Sequence, residues 1–256
     1  RIAVQEPAIE VVAEELVETP EPAAKIVAEE MVEAPEPATE AVAEEIIARP
    51  ETAKVVAETK IEETNKALEA KNTGGVTFAD LPLSVPVQEA VEKSGYETPT
   101  PIQAKAIPLV MEGLDLLGIA QTGTGKTAAF ALPILHRLAK DRRAAPRDGC
   151  RVLVLAPTRE LAAQIGASFR DYGRHLRIEV ATIYGGVSPR AQRQALARGV
   201  DVLVATPGRL IDHMGAGDAK LDKTEILVID EADQMLDLGF VRDMRRIVSE
   251  LPPGRQ

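Results

Sequence analysis

Leu116-Leu117-Gly118-Ile119-Ala120-Gln121-Thr122-Gly123-Thr124-Gly125-Lys126-Thr127 is the stretch around which the rest of the chain can be ordered. A short apolar run, residues 116–120, passes into a glycine-rich turn and then into Ala128-Ala129-Phe130-Ala131-Leu132, which suits a helix. Glycines let backbone N–H groups converge on phosphate oxygens, the helix start adds partial positive charge, Lys126 brings a cation, and the Thr127 hydroxyl can bind Mg2+. Gln121, Thr122, Gly123, Thr124, Gly125, Lys126 and Thr127 are therefore expected to hold the phosphates of a nucleoside triphosphate. The general pattern G-x-x-x-x-G-K-[ST] is met with one departure, Ala120 at its first position. The bland alternative is a strand-to-helix turn that carries a surface lysine.

Four more apolar runs follow, at residues 152–156, 178–184, 202–205 and 226–229, and each reads as a strand buried on both faces. Their spacing leaves room for a crossover helix each time, which predicts an α/β domain with a mainly parallel sheet. In such sheets ligands sit outside the carboxyl ends of the strands. The last run ends there in Asp230-Glu231-Ala232-Asp233. A carboxylate at the tip of a buried strand is costly to hold without a cation or donors. Beside the glycine-rich loop, Asp230 can hold the Mg2+ shell and Glu231 can orient or deprotonate a water. Standing alone, the same residues would read as the acidic start of a helix.

The chain has 256 residues, 30 Lys and Arg against 40 Asp and Glu, and one cysteine, so an intrachain disulfide is impossible. A lone Cys150 suits a reducing compartment, and the expected location is cytoplasmic. No apolar run reaches the ~20 residues of a membrane helix, and the first residues lack a basic, apolar leader. The formal charge of -10 is unevenly spread: residues 1–72 hold 7 basic and 18 acidic side chains, residues 73–256 hold 23 and 22. Global acidity therefore does not argue against a nucleic-acid partner for the second part. All seven aromatics also lie beyond residue 77, where one sizeable core is expected.

The first part repeats itself. Glu6-Pro7-Ala8, Glu21-Pro22-Ala23, Glu36-Pro37-Ala38 and Glu51-Thr52-Ala53 recur every fifteen residues, each followed by apolar pairs around Ala-Glu-Glu. Proline at the front and end of a unit leaves about three helical turns, marginal for an isolated helix. Without aromatics, residues 1–72 are expected to form a disordered or transiently helical acidic tail. The alternative is a docking array whose short amphipathic helices bind a protein partner.

With these motifs in hand, the sequence closely resembles the bacterial-type DEAD-box family of ATP-dependent RNA helicases. Gly95-Tyr96-Glu97-Thr98-Pro99-Thr100-Pro101-Ile102-Gln103, with Phe78 upstream, is similar to that family's adenine-reading Q motif. The A-x-T-G-x-G-K-T form of the loop is the family's own. Further matches are Ala156-Pro157-Thr158-Arg159-Glu160-Leu161-Ala162, Gly185-Gly186, Thr206-Pro207-Gly208-Arg209 and the Asp-Glu-Ala-Asp tetrad, all in family order. The resemblance implies a RecA-like phosphate-loop NTPase fold for residues 73–256 and says nothing of the repeats.

The resemblance also implies roles. Gln103 would bond the adenine and Phe78 pack near it, selecting ATP. Pro157, Thr158, Arg159, Gly185, Gly186, Thr206, Pro207, Gly208 and Arg209 would line an RNA track of sequence-independent backbone contacts. Read locally, Gln103 is an ordinary exposed amide, Thr158-Arg159-Glu160 a helix start with an internal ion pair, and Gly185-Gly186 a turn. The basic cluster of Arg137, Lys140, Arg142, Arg143, Arg147 and Arg151 reads as solvated surface, and the three histidines show no metal-ligand spacing.

Family members carry a second RecA-like domain with an arginine finger and a Ser-Ala-Thr motif, neither of which falls within residues 1–256. This chain alone is thus expected to bind nucleotide weakly and unwind nothing. The whole protein would act as an RNA-stimulated ATPase and helicase. A nucleotide-dependent RNA clamp, with the acidic repeats recruiting partners, is the alternative.

Overall fold

The computed structural model describes residues 76–118 and 123–256. The acidic repeats, and with them the expectation of a disordered tail, lie outside this range, as do Ala120, Gln121 and Thr122. After a single 3-10 turn at Phe78–Asp80 come α1 (Val85–Lys93), α2 (Pro101–Met111) and α3 (Lys126–Lys140). Then β1 (Cys150–Leu155), α4 (Arg159–Tyr172), β2 (Val180–Ile183), α5 (Pro189–Arg198) and β3 (Val200–Ala205) alternate. The described chain closes with α6 (Pro207–Gly215), β4 (Ile226–Ile229), α7 (Ala232–Asp237) and α8 (Val241–Ser249).

The four strands form one parallel sheet in the order β2-β3-β1-β4. Side chains alternate across it, which explains the unbroken apolar runs. Val152, Val154, Val202 and Val204 face a core shared with α1, α3 and α4, where Phe169, Ile165 and Leu132 are fully buried. Leu153, Leu155, Leu203 and Ala205 face a second core with Leu196, Leu210, Met235 and Ile247 of α5 to α8. The handedness is consistent. The chain moves outward from β1 to β2 through α4 on one face, and returns through α5 and α6 on the other, as crossovers of a single hand require.

Four of the five expected strands are present. Of the fifth, expected at 116–120, only Leu116 to Gly118 are described: residues 114–118 carry no regular secondary structure, and Leu116 and Leu117 are 39% and 54% exposed. A strand needs a ladder for its N–H and C=O groups. Among the described residues, Gln256 pairs with the outer edge of β4: its N–H donates to the Glu225 carbonyl while its own carbonyl accepts from Leu227 N–H, at 2.9 Å each. The Gln256 amide in turn donates to the carbonyls of Val110 (3.2 Å) and Leu114 (2.6 Å) and accepts from Arg137. Gln256 thus stands between β4 and the start of the expected strand.

At the amino ends of the strands, Arg151 is 3% exposed rather than solvated. Its guanidinium bonds Glu225 at 2.9 Å, the Asp141 carboxylate at 3.1 Å and the Asp141 carbonyl at 2.8 Å, and Asp201 lies 3.9 Å away. Arg143 joins two of these carboxylates, Asp141 and Glu225. β1 is buried along its whole length, position 151 included, and charge runs in the sequence carry no sign of that. Cys150, beside it, is fully buried against Thr224, and burial pushes its thiol up to about 12.

Candidate functional site

Gly123 and Gly125 adopt φ values of +81° and +87°, the left-handed region that glycine enters without penalty. Gly125 is the N-cap of α3, so the helix begins at Lys126 and Thr127, directly off the loop. The loop is braced from below by α2. Thr100 Oγ1 donates to the Thr124 carbonyl at 2.9 Å, and Gln103 Nε2 donates to the Gly125 carbonyl at 3.1 Å. Gln103 Oε1 meanwhile accepts from Thr100 N–H at 2.9 Å, completing a capping box at the start of α2. A Cβ on Gly125 would collide with that amide.

Gln103 is therefore 5% exposed, not the open amide that local reading suggests. Each end of its carboxamide holds one protein partner, and each has capacity for one more. Phe78 is likewise buried. Its ring stacks on Tyr96 with centroids 5.9 Å apart, and Tyr96, partly exposed, contacts Tyr172 through its hydroxyl at 3.2 Å.

Asp230 extends β4, its N–H donating to the Leu155 carbonyl at 3.0 Å, and its carboxylate accepts from Glu231 N–H at 3.1 Å. Burial raises the Asp230 pKa; the nearby Lys126 ammonium opposes that rise and Asp233 adds to it. Lys126 and Asp230 thus act on one another at the carboxyl edge of the sheet, although far apart in sequence. Glu231 sits at φ +51°, ψ +52° as N-cap of α7. For a residue with a side chain that conformation costs about 1 kcal/mol, a strain typical of functional turns.

The remaining residues follow β1, β2 and β3. Thr158 caps α4, its Oγ1 accepting from Leu161 N–H at 3.2 Å. Arg159 donates to the Gly185 carbonyl at 3.2 Å, so it reaches across to the next loop; no ion pair with Glu160 occurs among the described residues. Gly186 has φ +81°, and a Cβ there would strike the Arg159 guanidinium. Thr206 caps the start of α6, Pro207 is buried in its first turn, and Gly208 has open space where a Cβ would be. Arg209 donates to the Val187 carbonyl and to Gln192 Oε1, both at 3.1 Å.

Residues 100–256 match the family model of the DEAD/DEAH box helicases. The chain belongs to the DEAD/DEAH box helicase family. Among curated relatives it is 48% identical over 181 residues to "ATP-dependent RNA helicase DeaD" of Escherichia coli K12, and equally identical to the protein of that name in Mycobacterium tuberculosis H37Rv. The aligned part covers 70% of this chain but only 28% and 31% of those relatives. A solved DEAD box protein from the hyperthermophile Methanococcus jannaschii superposes with a TM-score of 0.64 at 34% identity, over 70% of this chain and 48% of that one. The parallel sheet with helices on both faces is accordingly the RecA-like α/β fold of DEAD-box proteins.

Within this DEAD-box domain, sequence reasoning missed three side chains that organise the site. Thr100 was legible, since Thr100-Pro101-Ile102-Gln103 before a helical run is a capping-box signature. Gln192 and His213 carry no local signal. No described helix is long and apolar enough to cross a membrane.

Proposed function

We propose that this chain is the ATP-binding domain of an ATP-dependent RNA helicase, and that the whole protein couples ATP binding and hydrolysis to RNA remodelling. The observation that carries the reading is the placement of Lys126, at the start of α3, within electrostatic range of Asp230 at the carboxyl end of β4, next to a loop whose glycines hold left-handed φ. The relatives' printed names support the same substrate and nucleotide.

The residues present fit Mg2+. Thr127 and Asp230 offer a hydroxyl and a carboxylate, hard oxygen donors that leave room for phosphate oxygens and water. A buried carboxyl whose ionisation is disfavoured gains from an added positive charge. When bound, the ion would supply positive charge against that of the triphosphate. The chain's own residues do the rest. Backbone N–H groups of Gly123, Thr124 and Gly125 together with Lys126 cradle the triphosphate, Gln103 reads the adenine with the remaining donor and acceptor of its amide, and the Phe78–Tyr96 stack borders the base. Glu231 orients the attacking water and accepts its proton.

RNA would run along the loops after β1, β2 and β3, held through its backbone and therefore without sequence preference. An arginine supplied in trans can contribute ~10^3 or more to turnover. Residues 1–256 alone should then bind Mg2+-ATP weakly and separate no duplex. Equilibrium titration of the chain with a fluorescent ATP analogue tests this. Binding that disappears in Lys126→Ala and loses its Mg2+ dependence in Asp230→Asn is expected; binding untouched by both changes would refute the reading.

A further inference from the structure

The turn at Tyr184 to Val187 is held by side chains from three different helices, all through its carbonyl oxygens. Arg159 of α4 donates to Gly185, Gln192 of α5 donates to Tyr184 at 3.0 Å, and Arg209 of α6 donates to Val187. Gln192, buried at 7% exposure, sits at the centre of this arrangement. Its oxygen accepts from Arg209 and also faces His213 Nε2 at 3.1 Å, while its nitrogen serves Tyr184. The orientation of the amide is fixed by chemistry: a guanidinium can only donate, so the atom facing Arg209 must be the oxygen. His213 Nε2 must then donate to that oxygen as well. His213 is itself buried, and its Nδ1 lies 3.1 Å from the Asp218 carboxylate.

We infer that Gln192, oriented by Arg209 and His213, is a positioning residue that sets the Gly185–Gly186 turn and Arg209 in the register required for gripping an RNA backbone. This deepens the RNA-track reading above and rests on it. The contacts use only acceptors of the turn, whereas a phosphate would use only its donors, so scaffold and ligand do not compete. Arg159 and Arg209 then act chiefly by shaping the turn. Arg209 has little freedom to chase a phosphate, with both neighbours engaged and Asp212 3.5 Å from its Nε.

The test is solution NMR on the 15N-labelled 256-residue chain, titrated with single-stranded oligouridine RNA at low salt and separately with a Mg2+-ATP analogue. In Gln192→Leu, which keeps the volume and deletes all three bonds, RNA affinity read at the Gly185 and Gly186 amides should fall about tenfold, the scale of one or two lost hydrogen bonds. Nucleotide affinity read at Gly123 and Gly125 should not change. A mere loss of folding would move both sets, and should that variant fail to fold, Gln192→Glu decides instead. It retains the oxygen toward Arg209 and His213 but loses the donor toward Tyr184, and a several-fold loss confined to RNA is expected. RNA affinity equal to wild type in a folded variant overturns the inference. If the wild-type Gly185 and Gly186 amides ignore RNA while Gly123 and Gly125 respond to nucleotide, the RNA-track reading itself fails.

Discussion

The two ends of the parallel sheet solve opposite problems. At the carboxyl end the chain holds groups that weaken the fold: a buried Asp230 whose ionisation burial opposes, a Glu231 forced to positive φ, and glycine turns with no side chain to pack. At the amino end a buried arginine is enclosed by carboxylates from three segments, and Cys150 lies sealed beneath it. The same four strands carry both. The carboxyl end is thus the end proposed to hold ligands and the amino end is the one that carries the buried ion cluster, and substitutions at the two ends should separate cleanly in their effects.

Arg151→Ala is expected to have the largest effect. It strands Glu225, Asp141 and Asp201 around an empty space, and the unfolding free energy should drop by about 3 kcal/mol in urea titration. Nucleotide affinity of the folded fraction should stay near wild type. A variant that lost affinity in proportion to stability would show that the ends are coupled.

Gly125→Ala comes next, and at the opposite end. It combines positive φ with a collision against the Gln103 amide, so a loss of about 2 kcal/mol in stability and a much larger loss in nucleotide binding are expected. Calorimetric titration checks the second, thermal melting the first.

Asp230→Asn should do the reverse for stability. The carboxyl has a folded pKa above its ordinary value, so its ionisation weakens the fold as pH rises past about 3.8, the unfolded value. Melting at pH 7 should show the ligand-free variant more stable than wild type, with the advantage fading as pH approaches 4, while the Mg2+-dependent gain from nucleotide is lost. Equal stability at every pH would mean that the carboxyl end carries no such load.

The smallest effect belongs to Asp141. The Arg143 guanidinium, with Arg151 behind it, holds its carboxyl at about 2, below the usual 3.8. A depressed pKa stabilises the fold above the unfolded value, and that contribution is lost as pH falls from about 3.8 toward about 2. Asp141→Asn should thus lower the melting temperature slightly at neutral pH and converge on wild type near pH 2.

How much of this could be read from sequence follows from which signals are local. The four strands were legible because a sheet covered on both faces leaves continuous apolar runs, and the crossover spacing gave their direction. Residues 116–118, the described part of the remaining run, looked the same but carry no regular secondary structure, because a ladder is a property of the sheet rather than of the run. In the site, Lys126, Thr127, Asp230 and Glu231 announce themselves by type and strand-end position. Gln103 stands out in the sequence only through the resemblance that proposes it as an adenine reader, and its tie to Gly125 depends on how α2 meets the loop. Gln192 and His213 are invisible because an amide and an imidazole on amphipathic helices gain meaning only from the buried partners that tertiary packing brings to them. Arg151 was misread for the same reason: a charge within a basic run is ordinarily solvated, and only its place on β1 buries it.

Cys150 has a practical consequence. It is the only thiol in the sequence, and burial with a pKa near 12 leaves it almost without thiolate at neutral pH. A cysteine engineered at an exposed position on the carboxyl-end loops would be the one a maleimide dye finds in the native protein. Site-specific fluorescent reporters of nucleotide and RNA engagement can be installed here without first stripping the parent chain of its own sulfhydryl.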